Sequence, residues 1–486
     1  MSNQLARGAT WMVSMRWVVR GLGLISMVVL ARLLSPDDFG VFAIGLIVLG
    51  FIEFLAEGGI EFALIREQSA KREHFDSAWT VQIILGLLTG ALIFASAPLV
   101  AYLFDEPRAV PVLQILALRP VCTAFTNIGV VSFLKEFDFR KEFLFDVTRR
   151  VMDATITIVL AVTLRNYMAL VIGAVAGAAF GAIFSYVIHP YRPRLSLKKV
   201  REIWSFSGWL VVSYAAEEIS DLVDRIVVGA IAATNMLGLY HMAGTISAVI
   251  MQNTIFPLWR GLFPAYAKIA HEPEELAAAF YPVFGWVVVV SCVAGFGISS
   301  VAPDLVVTLL GEKWAPAIPL VPWLTVAVAI AGVVDNPLLI LTALGRTRLI
   351  AIQSIIRVVM VGTALPLAGM FWGVEGVAIA VFVVATLHAP IPFYFLIRNS
   401  PVTLRDIIRR VWRPLTSGGV MYVVVRIVAE ALDGHYAVVL SIEIAAGAAT
   451  FIVCSLLLWV LSGRPPGPEA TFVGQARKRL RVRRVA

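Results

Sequence analysis

The residues best equipped for chemistry in this sequence are ionisable groups standing inside long apolar runs. Arg16 and Arg20 are four apart, and so are Glu53, Glu57 and Glu61, so each set shares one face of a helix. A later run carries Glu217, Glu218, Asp221 and Asp224, and further arginines stand at Arg149, Arg150 and Arg357. A charged group at the centre of a bilayer costs about 3 kcal/mol or more on insertion scales. Such groups therefore face a bundle interior or a wet cavity, and each is a candidate for function.

Their types divide the chemistry. Guanidinium groups suit phosphate, because the planar fork gives two directed hydrogen bonds. Arg149 and Arg150, and Arg357 in a later segment, enter their apolar runs from the same side and at equivalent depth, so they are the expected binding groups for an anionic, phosphate-bearing ligand, the alternative being long side chains that snorkel to lipid phosphate. Across the hairpin formed by the first two runs, depth-matched positions sum to about 73, which pairs Arg20 with Glu53 and Arg16 with Glu57. That arrangement is either a charged cavity wall or a structural ion-pair ladder. The acids at 217–224 have only His241 and the adjacent Arg225 as nearby basic groups, so they are expected to be hydrated, protonated or paired with the other half of the protein. Glu53, Glu57, Glu217, Glu218, Asp221 and Asp224 are the coupling or gating candidates, and the sequence does not choose between proton, sodium and no coupling. Arg119, Arg260 and Arg426 are weaker candidates. Cys122, Cys292 and Cys454 lie far apart in apolar stretches and read as small core residues, with no metal or other cofactor implied. A Gly-rich phosphate loop followed by Lys and Ser or Thr is absent, which argues against ATP hydrolysis.

The elements that must position these groups are membrane helices. Of the 486 residues 59% are hydrophobic and only 15% charged, and the mean hydropathy is +0.86, outside the range of a soluble globule. Apolar stretches of about 20 residues, the length that crosses a bilayer, recur along the chain, and the two-residue alternation of a barrel strand does not. The expected fold is an all-α polytopic membrane protein of about 14 spans: 8–34, 39–64, 78–103, 109–134, 143–164, 167–189, 205–230, 236–263, 277–301, 316–344, 349–370, 374–397, 414–430 and 437–461. The first run is too long, and too interrupted by Arg16 and Arg20, for a cleaved signal. With both termini cytoplasmic, the outside loops hold only Arg108, Arg165 and Lys313 among basic residues, which predicts that orientation in a plasma (inner) membrane. The net charge of +8 is then mostly a topology signal, and the basic tail implies anionic phospholipid rather than nucleic acid.

The chain also echoes itself. A shift of 198 residues matches Trp11-Met12-Val13 to Trp209-Leu210-Val211 and Gly40-Val41-Phe42 to Gly238-Leu239-Tyr240. Shifts of 206 and 207 align Asp105–Ala109 with Gly311–Ala315 and Arg150-Val151 with Arg357-Val358. Repeats of six spans run parallel, which predicts two pseudo-symmetric six-helix lobes around a central cavity. The expected division is an N-lobe over 1–190, a C-lobe over 191–400, two extra helices over 401–463 and a basic tail over 464–486. The repeat makes Glu218 the counterpart of Arg20, so these two are expected to form an ion pair between lobes.

Three stretches carry a family resemblance. Ala31-Arg32-Leu33-Leu34-Ser35-Pro36-Asp37-Asp38-Phe39-Gly40 resembles the first hairpin of the polysaccharide transporter family, within the multidrug, oligosaccharidyl-lipid and polysaccharide exporter superfamily. Asp224-Arg225-Ile226-Val227-Val228-Gly229, followed by Leu237-Gly238-Leu239-Tyr240, resembles its seventh helix and turn, with a departure at His241 and Met242. Leu309-Leu310-Gly311-Glu312-Lys313-Trp314-Ala315-Pro316 is similar to its ninth-to-tenth loop. The resemblance implies a flippase, not an enzyme, that moves an undecaprenyl-pyrophosphate-linked oligosaccharide across the inner membrane for exopolysaccharide, capsule or O-antigen assembly, beside a polymerase and a chain-length regulator. The competing readings are a lipid II flippase or multidrug antiporter of the same superfamily, and a membrane glycosyltransferase or polymerase. Intramembrane arginines disfavour a cation extruder, and outside loops of no more than about 15 residues disfavour a catalytic domain.

Overall fold

The computed structural model describes residues 21–56, 72–135, 138–200, 208–254, 256–432 and 434–474, and all regular structure among them is helical. Arg16, Arg20, Glu57, Glu61 and the tail from 475 onward lie outside the described residues. The chain forms two compact units, Met1–His241 and Met242–Ala486.

In the first unit, α1 (Gly21–Leu33) leads into α2 (Pro36–Ala56) and α3 (Arg72–Leu103). The expected span at 109–134 is α4 (Ala109–Leu116) and α5 (Leu118–Ala124), a 3-10 turn over Ile128–Val130 and α6 (Val131–Lys135). α7 (Phe139–Leu164), α8 (Met168–Ile188) and α9 (Gly208–Ile231) follow, and α10 (Thr234–Thr254) begins in this unit. Close helix packing in a membrane is favoured by small residues, since lipid gives no apolar driving force between helices. Gly86 and Gly90 of α3 accordingly receive Ala124 and the Ala117 carbonyl, leaving no room for a side chain on α3. The 189–199 connection is pinned across the end of α3: Tyr191 Oη donates to Asp76 at 2.7 Å, the Arg194 amide to the same oxygen at 2.9 Å, and the Ser196 amide to Thr80 Oγ1 at 2.8 Å.

In the second unit α11 (Phe256–Lys268) is followed by the 38-residue α12 (Pro273–Leu310), then α13 (Leu320–Ala343), α14 (Thr347–His388), α15 (Pro390–Asn399), α16 (Leu404–Ala431) and α17 (Tyr436–Leu461). α14 is two helices joined at Gly373, whose φ of 64° lies in the left-handed region that favours glycine, so the break expected between 370 and 374 is present. α12 packs against α13, α16 and α17. Its aromatic row, Phe280 and Phe284, stacks with centroids 5.1 Å apart, and Phe393 of α15 meets Phe284 edge-on at 5.6 Å. Past α17 the chain folds back: Pro468 seats on Gly285, and Glu469 pairs with Arg413 of α16 at 3.1 Å, both side chains buried.

Seven described helices, with Thr347–Asn399 taken as one, are long and apolar enough to cross a membrane. The protein is a multi-pass helical membrane protein.

Candidate functional site

The first polar stripe lies between α7 and α8. Thr157, Asp153 and Arg149 recur every four residues on α7, and opposite them Gly173, Gly177 and Gly181 recur every four on α8. A Cβ on each glycine would press on Thr157, Asp153 and the Arg149 side chain in turn. The missing side chains therefore make the groove that admits a polar stripe into a membrane hairpin. Arg150, Arg149 and, from α5, Arg119 all act on the Asp153 carboxyl electrostatically. Arg149 also sits 3.6 Å from Asp146 and 5.9 Å from the Phe145 ring centroid. The expected arginine pair is thus part of a cluster of three arginines and two aspartates with net positive charge, with Arg149 and Arg150 exposed at its rim. Asp153 was not among the sequence candidates; the glycines four apart on the next segment were the signal that could have found it.

The acidic helix α9 packs against α2. Glu218 Oε1 lies 3.8 Å from where a Cβ on Gly50 of α2 would stand, one turn from Glu53. Asp224 accepts from Tyr240 Oη of α10 at 2.9 Å and from the Arg225 amide at 2.7 Å. The expectation that these acids lack local partners is corrected at Asp224, which has both donors, and Glu217, Glu218 and Asp221 are not without partners. Counting only basic residues missed Tyr240, whose hydroxyl satisfies a carboxylate without bringing a charge into the bilayer.

The two repeated motifs meet at one end of the first unit. A Cβ on Gly40 would overlap the Thr234 carbonyl oxygen, and a Cβ on Gly238 would overlap the Pro36 carbonyl oxygen. Pro36 and Thr234, like Gly40 and Gly238, differ by the 198 residues of the sequence repeat. Each hairpin thus offers the same patch to the other, the reciprocal contact that a local two-fold generates. Around this crossing the first-turn acids of α2 tie the neighbouring loops, where helix N-terminal dipoles favour negative charge. Asp37 pairs with Arg108, and Asp38 accepts from the Tyr167 amide at 2.8 Å. Arg108 also donates to Glu106 at 2.8 and 2.6 Å, and Glu106 accepts from Thr234 Oγ1 at 2.7 Å. Hydrogen bonds from Arg108, opposed by burial and helped by Thr234, hold the Glu106 carboxyl below its ordinary range. Arg108 is pushed up in turn, chiefly by its bonds to Glu106 and Asp37. None of these latch residues stood among the site candidates, although Arg108 was one of three basic residues in the expected outside loops.

In the second unit Arg357 lies on α14 near His388, whose Nε2 is 3.1 Å from the Gln353 carbonyl. An apolar cavity of about 560 Å³ opens between α12, α13, the α14–α15 segment and α16, lined by Cys292, Phe296, Trp323, Phe382, Phe393 and Tyr422 among others. Among the described residues no group of three or more His, Cys, Asp or Glu could hold a metal.

Residues 29–319, more than half of the chain, match a family model described as polysaccharide biosynthesis protein. The lipopolysaccharide biosynthesis protein WzxC of Escherichia coli (strain K12) is 25% identical over 415 residues, 84% of each chain. The succinoglycan biosynthesis transport protein ExoT of Rhizobium meliloti (strain 1021) is 23% identical over 357 residues, 73% of this chain and 72% of its own. In fold, the chain is similar to the lipid II flippase MurJ in an inward closed conformation, with a TM-score of 0.70 at 13% identity over 92% of this chain and 98% of that one. An inward-facing multidrug resistance MATE family transporter follows with a TM-score of 0.61 at 16% identity, over 80% and 98%. The helices, the two hairpin motifs and these likenesses agree: the chain belongs to the polysaccharide biosynthesis protein family and is a membrane transporter rather than an enzyme.

Proposed function

We propose that the protein is a flippase that carries undecaprenyl-pyrophosphate-linked oligosaccharide repeat units across the inner membrane by alternating access between two six-helix lobes. The observation that carries this reading is the arginine cluster of Arg119, Arg149 and Arg150 around Asp153, inside a chain similar over most of its length to proteins of polysaccharide biosynthesis. A pyrophosphate dianion entering there finds three guanidinium groups, more than the carboxylates of Asp153 and Asp146 neutralise. Arg357 is the counterpart of Arg150 by the sequence repeat and supplies the equivalent group in the second half. The apolar cavity beside α12 has the lining to receive part of a polyprenyl chain while the sugar stays in a wet cavity. Both termini are cytoplasmic in this reading, so the crossing of Gly40 and Gly238 closes the outer end. The basic tail rests on anionic lipid, and a polymerase and chain-length regulator receive the product.

The test is a deletion strain complemented with variants. Cells lacking the protein accumulate lipid-linked repeat units and export no polymer, and the parent chain restores export. Arg150→Gln with Arg357→Gln reaches the membrane and does not restore it. Normal export by that double variant overturns the arginine assignment, and the absence of accumulated lipid-linked sugar overturns the flippase reading.

A further inference from the structure

Glu443 is a charge with no evident function in the repeat architecture. It lies on α17, the last helix, and is completely buried, and neither carboxyl oxygen has a donor. One turn further along the helix, a Cβ on Gly447 would stand only 3.1 Å from Val425 and 3.6 Å from Met421 of α16, so this part of α17 is packed tightly onto α16. α12 packs on the same helix, and the neighbour of Glu443 there is another acid, Asp304, carboxyl to carboxyl. Arg426 of α16 completes the group and lies 4.0 Å from Glu430, one turn further out. Asp304, Glu443 and Arg426 stand five to seven residues from the neighbouring ends of α12, α17 and α16, or about 8–10 Å at 1.5 Å per residue. They occupy one level of the membrane.

Two ionised carboxylates are acceptors only and cannot bond to each other. That is why Glu443 finds no donor while lying against Asp304. With one proton between them, one carboxyl donates to the other, and the single remaining negative charge is matched by Arg426. With no proton, two anions share one guanidinium, and one of the two, Glu443, is cut off from solvent. A hard metal cation would require about six oxygen ligands, which two carboxylates and an arginine do not supply.

We propose that Asp304 and Glu443 form a one-proton binding site that fastens the appended helices α16 and α17 to α12, and that loss of this proton loosens the contact. Among the described residues the charged group acting on the pair is Arg426 of α16, which also lies 4.0 Å from the exposed Glu430. That the proton gates translocation rests on the flippase reading, but the proton site itself does not.

Infrared spectra of the full chain in lipid nanodiscs test it without cargo. At neutral pH the parent shows a carboxylic acid C=O band that shifts in D2O, and this component is lost in Glu443→Gln and in Asp304→Asn, each of which leaves one acid to ionise beside Arg426. Arg426→Gln keeps the pair and its fold contacts, and the band survives to a pH about one unit higher, a tenfold change in proton affinity. The same band in parent and both acid variants, or an unmoved midpoint in Arg426→Gln, overturns the proposal. Loss of the band when sodium replaces potassium at fixed pH overturns it in favour of a metal cation. A protein that shows the band but leaves lipid-linked sugars unmoved keeps the proton site and removes the flippase reading.

Discussion

Substitution of Gly238 tests the reciprocal crossing of α2 and α10. A valine there places its Cβ inside the van der Waals radius of the Pro36 carbonyl oxygen, and the nearest obstacles are backbone atoms, including the Gly40 nitrogen, which cannot rotate away. The helices must withdraw, and overpacking of this kind costs about 1–3 kcal/mol. At 2 kcal/mol the closed crossing loses about 30-fold in population relative to an open one. Val41, beside Gly40 and fully buried, becomes the reporter as Val41→Cys in a chain whose three native cysteines have been replaced. Labelling by a membrane-impermeant maleimide should accelerate about 30-fold in Gly238→Val. Gly40→Val, which meets the Thr234 carbonyl, should match it, and the double variant should add little, because both side chains open one contact. Gly244→Val is the control, since nothing lies within 4 Å of its Cβ position. Equal labelling in Gly238→Val, Gly244→Val and the parent would refute the argument that glycine sets the crossing.

Three further outcomes are expected. Because Glu106 is held below its ordinary range, its contribution is complete above the usual carboxylate range and is lost as pH falls through the depressed value; thermal unfolding followed against pH should lose this acid limb in Arg108→Gln. Tyr240→Phe removes a donor from Asp224 and should cost about 1–3 kcal/mol in thermal stability, with much of the loss recovered when Asp224→Leu is added. Arg413→Met or Glu469→Leu alone leaves a buried charge and should destabilise by about 3–5 kcal/mol, whereas the double replacement should be near neutral in denaturation of the full chain.

Helix positions were legible because bilayer thickness imposes an apolar length that few residues can disguise. The break between two spans was legible at Gly373, where a φ of 64° favours glycine. The 198-residue echo has a physical counterpart in the reciprocal contacts of Gly40 and Gly238, since only a residue without a side chain lets two helix starts cross backbone to backbone. The Asp37-Asp38 pair of the first motif was visible as a family feature; its work of tying the Arg108 and Tyr167 loops to α2 was not.

What the sequence determined by itself is a polytopic helical transporter with arginines and acids concentrated on particular spans, because the cost of charge in lipid makes each one conspicuous. Only the tertiary structure decided which charges are neighbours. Periodicity says which face of a helix a residue occupies, but not which helix comes to lie against that face. So Asp153 within its ring of arginines, Tyr240 as the donor to Asp224, and Glu443 against Asp304, all more than fifteen residues from at least one partner in sequence, emerged from packing alone.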